Sequence, residues 1–189
     1  MNEVIAPFDR SALRRNRARA ARLADDSADF LFTEVGERLV DRLDDIRRSF
    51  PVALEIGARR GALRPQLAGR NGIATLIQAD ASPIMAAAAD GPRLAMDEEA
   101  LPFGPASLDL VFSNLALHWT NDLPGALAQL RRALRPDGLL LAAMIGGDSL
   151  IELRGVLAEA EATVTGGMAP RLSPLVDVRD AGALLQRAG

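Results

Sequence analysis

Residues 52–61, Val-Ala-Leu-Glu-Ile-Gly-Ala-Arg-Arg-Gly, constrain the fold more than any other stretch of the chain. An apolar run carrying Glu55 turns at Gly57 and meets a second glycine at Gly61. A buried parallel strand passes into a helix in this way, and the N–H groups at the start of that helix face a ligand. The middle position of such a loop usually carries another glycine, and here it is Arg59. If the backbone there has positive φ, an arginine costs about 1–2 kcal/mol.

Beyond this loop the pattern alternates. Strands are expected at 52–56, 73–79, 93–96, 108–113 and 139–145, with helices at 60–69, 83–89 and 123–134. Ser82 and Asp122 are the expected N-caps of the last two helices, each followed by a proline in the first turn. Repeated strand–helix alternation builds a parallel sheet with helices on both faces, an α/β fold of Rossmann type. Upstream, helices are expected over 9–22, capped by Ser11, and over 29–47, where Val35, Leu39, Leu43 and Ile46 recur at helical spacing. Pro51 ends this region, dividing a helical cap (1–48) from the α/β domain (49–189). Two further helices are expected at 149–165 and 177–188, separated by a Gly/Pro-rich loop at 166–174.

Absent residue types exclude whole chemistries. All 22 basic residues are arginine, there is no cysteine or tyrosine, and His118 is the one histidine. Without lysine there is no P-loop hydrolase and no Schiff-base chemistry. Without cysteine there is no thiol nucleophile, thiolate zinc site or iron–sulfur cluster. One histidine cannot furnish a two-His-one-carboxylate iron site, and no metal site is expected. No apolar run reaches the ~18 residues of a membrane span. The first residues, MNEVIAPFDRSALRR, lack a secretory apolar core. A cytoplasmic protein is the expectation.

In a doubly wound sheet the ligand lies at the carboxyl ends of the strands. Glu55, Gly57, Gly61, Asp80, Asp97 and Ser113 are the candidates there. Gly57 lets backbone approach a ligand. Asp80 lies 23 residues beyond it, near the ~20 expected of a carboxylate that grips ribose hydroxyls; capping the next helix is its alternative role. A pyrophosphate cofactor would want the full G-x-G-x-x-G. S-adenosylmethionine has no phosphate, tolerates a looser loop, and presents a diol, an adenine amine and two cationic groups to the three acids. Arg59 could fill the methionine pocket and repel the sulfonium, pair with the cofactor carboxylate, or point to solvent. His118 and Asn114, just after the fourth strand, are the candidate catalytic residues: His118 as general base or substrate contact, or as half of a packed pair with Trp119, and Asn114 as a group orienting substrate. The arginine-rich 9–22 helix is a solvated face, a lid over a carboxylate, or a surface for anionic docking.

At these residues the sequence resembles a known family. E-x-G-x-x-x-G at 55–61, "QAD" at 78–80, "DEEALPF" at 97–103 and "LDLVFSNLALHW" at 108–119 resemble the motifs of class I S-adenosylmethionine-dependent methyltransferases. "FDRSALRRNRARAA", "HWTNDLP", "GGDSLIELR" and "SPLVDVRDAGALLQRAG" are similar to the mitochondrial complex I assembly factor 5 group, methyltransferase-like proteins tied to arginine hydroxylation of a complex I subunit. "SNLAL" and "LRRALRPDG" are also similar to the malonyl-acyl-carrier-protein methyltransferases of biotin synthesis. The resemblance implies S-adenosylmethionine as cofactor and a protein or acyl-carrier-protein acceptor, a complex I subunit included. It implies no nucleic acid partner. A non-catalytic assembly scaffold with impaired cofactor binding is the alternative. The family's sheet has two more strands after the fifth, so a fragment, a dimer or a partner covering the fifth-strand edge is expected.

Overall fold

The computed structural model describes residues 6–23, 25–167, 169 and 172–189, the side chain of Asp26 excepted. Expectations for residues 1–5 and for 168, 170 and 171 lie outside the described residues. Five strands, β1 (Val52–Ile56), β2 (Thr75–Asp80), β3 (Arg93–Ala95), β4 (Leu108–Asn114) and β5 (Leu134–Ala143), form one sheet in the order β3-β2-β1-β4-β5. Every pairing is parallel. The helices are α1 (Arg10–Leu23), α2 (Phe30–Asp41), α3 (Arg64–Leu67), α4 (Pro83–Ala87), α5 (Leu123–Ala133), α6 (Ile151–Thr165) and α7 (Val178–Ala188).

Side chains alternate across the central strands and fill two cores. Leu54 and Ile56 of β1 and Val111 of β4 pack with Leu127 and Leu130 of α5 on one face. Ala53, Leu110 and Phe112 pack with Val40, Leu43 and Leu67 on the other. The sheet is thus a two-sided wall. Strand order reverses between β1 and β4, and a crevice opens above their carboxyl ends, as at the switch point of other doubly wound sheets.

Several local expectations change. The helix expected at 60–69 is a run of turns followed by the four-residue α3. Gly61 has φ +79° and Ala68 is already extended, so the backbone leaves helical geometry at both ends. The loop therefore has no long helix behind it to aim N–H donors at a ligand. Asp9, rather than Ser11, caps α1: its Oδ1 accepts from the Ser11 and Ala12 amides at 2.8 and 2.9 Å. Helix α2 stops at Asp41, and the carbonyls of Leu43 and Ile46 accept from Asn71 Nδ2 at 3.0 and 2.8 Å. β5 begins at Leu134 and not at Leu139. Leu134 pairs with Leu108 and Leu139 with Leu110, so residues between them, including Asp137 at φ +62°, bulge from the ladder. Among the described residues β5 pairs with β4 alone. Just beyond it the Gly147 amide donates to the Val176 carbonyl at 2.9 Å. No helix of the described residues is long and apolar enough to cross a membrane.

Candidate functional site

Gly57 follows β1 with φ +70°. A Cβ built on it would sit 2.5 Å from the Ala116 Cβ, so only glycine lets these two loops touch. Gly61, also at positive φ, would drive a Cβ to 2.9 Å from Gln78 Nε2. Two non-glycine residues beside them carry strain: Arg59 at φ +55° and Leu115 at φ +52°. Both line one cavity of about 220 Å³ together with Gly57, Phe32, Trp119 and Arg17. Strained backbone gathers at functional sites because surrounding structure must hold it there. The Arg59 guanidinium does not point to bulk solvent. It pairs with Asp29, just before α2, and its Cζ lies 3.9 Å from the Phe32 ring centroid.

The acids occupy distinct environments. Glu55 is fully buried and accepts from Gln78 Nε2 at 2.9 Å. Burial raises its pKa to about 7, against the lowering effects of the Gln78 hydrogen bond and Arg64. Asp80 closes β2 and divides its two oxygens. Oδ1 accepts from the Ser82 amide at 2.8 Å, while Oδ2 is buried without a hydrogen-bond partner, its nearest cation being Arg17 Nη1 at 3.4 Å. Burial moves the Asp80 carboxyl up, in opposition to Arg17 and the Ser82 amide. Asp80 thus stabilises the turn before α4 with one oxygen, without capping that helix, and turns the other toward Arg17. Ser82 Oγ takes the N-cap role for α4.

Asp97 lies further out. Burial would raise its pKa, but the Glu99 amide, Arg10 at 2.7 Å and Arg14 at 2.5 Å hold it below the usual range. The neighbouring Glu98 is the buried one, with its side chain 1% exposed. It pairs with Arg10 and with Arg17 at 3.2 Å. Sequence reasoning passed over Glu98. Its signal was the spacing of Arg10, Arg14 and Arg17, which puts three guanidinium groups on one helix face opposite "MDEE". The lid reading of the arginine-rich helix therefore describes these three, and the solvated reading describes Arg15, Arg19 and Arg22, which are exposed.

The remaining candidates separate. Ser113 is buried in β4 with a free Oγ. Asn114 Nδ2 donates to the Phe32 carbonyl at 2.7 Å, tying β4 to α2. His118 does not line the Gly57 cavity. Its ring lies tilted against Trp119, centroids 5.3 Å apart, and faces a second cavity of about 220 Å³ with Pro7, Phe8, Met144, Leu175 and Val176. Burial, reinforced by Arg17, lowers its pKa to about 4, so the ring is neutral at pH 7. The N-terminal segment is clamped beside it: the Phe8 amide donates to Asn121 Oδ1 at 2.9 Å, Asn121 Nδ2 donates back to the Phe8 carbonyl at 3.1 Å, and Phe8 meets Trp119 edge-on at 5.5 Å.

A five-stranded parallel sheet with a glycine-lined turn after β1 and a buried acid closing β2 defines the class I methyltransferase fold, and residues 54–142 match the methyltransferase domain family. The putative methyltransferase in complex with the Haloferax volcanii Trm112 activator superimposes with a TM-score of 0.72 at 19% identity, over 92% of this chain and 75% of that one, a likeness of fold. The chain is 43% identical over 188 residues to the mitochondrial arginine-hydroxylase NDUFAF5 of Danio rerio, covering 96% of this chain and 58% of that protein. It is 34% identical over 177 residues to malonyl-[acyl-carrier protein] O-methyltransferase 1 of Coxiella burnetii, covering 94% of this chain and 60% of that protein. The chain thus spans less than two thirds of the length of these curated relatives. The expectation of a cytoplasmic protein is corrected by these matches, because the vertebrate NDUFAF5 proteins are described as mitochondrial. Absence of an apolar secretory core says nothing about an address of that kind.

Proposed function

We propose that this chain is an S-adenosylmethionine-dependent, methyltransferase-like enzyme of the complex I assembly factor type, acting on a protein acceptor. The observation that carries the reading is Asp80 Oδ2, a buried carboxylate oxygen without a hydrogen-bond partner at the end of β2. Its nearest cation, Arg17 Nη1 at 3.4 Å, leaves it without a close hydrogen bond, and a ribose hydroxyl would supply one worth about 1.5–3 kcal/mol. The bare backbone at Gly57 supplies the close approach such a ligand needs. In this reading Glu55, Gly57 and Gly61 shape the loop, Asp80 accepts from the ribose, Asp97 faces the adenine amine, and Ser113 offers its free hydroxyl at the end of β4.

The cofactor, when bound, supplies an electrophilic methyl group on a sulfonium centre. The residues of the chain bind, orient and exclude water, which accounts for most of the acceleration that in-line transfer requires. Asn114 keeps α2 on β4 and so fixes the wall of the crevice. His118, neutral at pH 7, would act as a contact for an acceptor seated in the second cavity, its Nδ1 being buried away from that space. The acceptor class follows the relatives: an arginine-bearing protein subunit of complex I, with a carrier-bound carboxylate as the second reading. A non-catalytic scaffold is favoured by one feature only, Arg59 in the glycine position of the loop.

Calorimetric titration with S-adenosylmethionine tests the proposal. Micromolar binding by the wild type, weakened at least tenfold in Asp80→Ala, is expected, in line with the roughly 1.5–3 kcal/mol of a hydrogen bond to a charged group. Equal affinity in the two proteins would refute the role of Asp80. Binding recovered only in Arg59→Gly would favour the scaffold.

A further inference from the structure

We propose that α1 is an ionic latch that holds the cofactor crevice shut, with the Arg17 guanidinium standing where the cofactor's ribose would bind. The proposal rests on the cofactor reading above.

Arg10, Arg14 and Arg17 project from one face of α1 at i, i+4 and i+7 and meet three carboxylates on the sheet edge. Arg10 holds Asp97 and Glu98, Arg14 holds Asp97, and Arg17 spans Glu98 and Asp80. Asp80 and Glu98 are both buried by this contact, so the arginines neutralise acids that would otherwise repel each other in a dry crevice. Apolar packing adds little. No residue of α1 is fully buried, and its apolar contribution to the crevice is Leu13 and Ala20 at the cavity wall. A helix held in this way answers to salt chiefly through its exposed pair, Arg14 with Asp97, and less through the buried ones.

Cofactor pockets run from about 300 to 1,000 Å³, and the cavity between α1 and Gly57 is about 220 Å³. The oxygen of Asp80 that a ribose would use faces Arg17 Nη1 at 3.4 Å, so the guanidinium fills the space through which a ribose hydroxyl would approach. Cofactor entry therefore requires α1 to move, and the observed affinity is the intrinsic affinity scaled by the open fraction. A lid that closes over bound cofactor would give the opposite sign, because Arg17 would then add to binding.

The test is calorimetry of wild type and Arg17→Gln with S-adenosylmethionine at about 0.05 and 0.5 M salt, with hydrogen exchange of the α1 amides. Expected is about tenfold tighter binding by Arg17→Gln at low salt. The wild type should tighten as salt rises more steeply than the variant, which keeps the Arg10 and Arg14 pairs, and cofactor should accelerate exchange in α1. The salt series on the wild type stands by itself should the variant fold poorly. Binding that is no tighter in Arg17→Gln, or cofactor that slows exchange in α1, would overturn the latch and leave the cofactor reading intact. Failure of both proteins to bind at either salt would overturn the cofactor reading and the latch with it.

Discussion

Arg59 offers a way to weigh backbone strain separately from side-chain contact. Replacing it by alanine or by glycine removes the same two interactions, the pair with Asp29 and the stacking over Phe32. The stacking is worth about 0.5–2 kcal/mol. The pair is only about one-fifth exposed, yet Asp29 keeps Arg60 at 3.3 Å, so its loss adds little more. The backbone distinguishes the variants. At φ +55° alanine retains a left-handed penalty of about 1–2 kcal/mol that glycine lacks. Glycine gives back about 0.5–1 kcal/mol through its larger unfolded entropy. Arg59→Gly should thus lie about 1 kcal/mol below the wild type, and Arg59→Ala about 0.5–1 kcal/mol lower again. For a chain of this size the gap between them is about 1–4 °C in Tm, and urea titration resolves it independently. An alanine variant as stable as the glycine variant would refute the claim that this residue is strained.

Two other positions have calculable consequences. Glu55 has a native pKa near 7 against an ordinary 4.5, so its contribution to stability is full below about pH 4.5 and is lost as pH rises through 7. Glu55→Gln should leave stability nearly unchanged at pH 4.5 and raise it by about 3 kcal/mol at pH 8, and parallel pH–stability curves for the two proteins would contradict this. Asn71 stands at φ +46° and donates from Nδ2 to the carbonyls of Leu43 and Ile46. Asn71→Ala should lower unfolding free energy by about 2–3 kcal/mol, and a loss below about 0.5 kcal/mol in urea titration would show those carbonyls satisfied elsewhere.

The sheet was legible because hydrophobic runs of strand length are a local signal. Val52–Ile56 is bounded by Pro51 and Gly57, and the strand occupies those same residues. The helix after Gly61 was not, since a positive-φ glycine and Pro65 break it, and the composition of 60–69 hides that conflict behind good helix formers such as Ala62, Leu63 and Gln66. Asp80 was legible from its spacing to Gly57. Glu98 was not, because which of two adjacent acids turns inward depends on the path of a three-residue strand and on where α1 lies. His118 shows the same limit. Its place beside Trp119 is written in the sequence, but its separation from the Gly57 cavity is set by Phe8, more than a hundred residues away.

The cavity beside His118 has walls from distant parts of the chain: Pro7 and Phe8 on one side, Leu175 and Val176 on the other, with Met144 between. The Gly147–Val176 hydrogen bond and the Asn121–Phe8 clamp fasten both segments to the loops after β4 and β5. Those segments therefore share the walls of one cavity while each is anchored to its own loop. An acceptor that seats against His118 would be felt at residue 8 and residue 176 alike, and shortening either segment would relax the other.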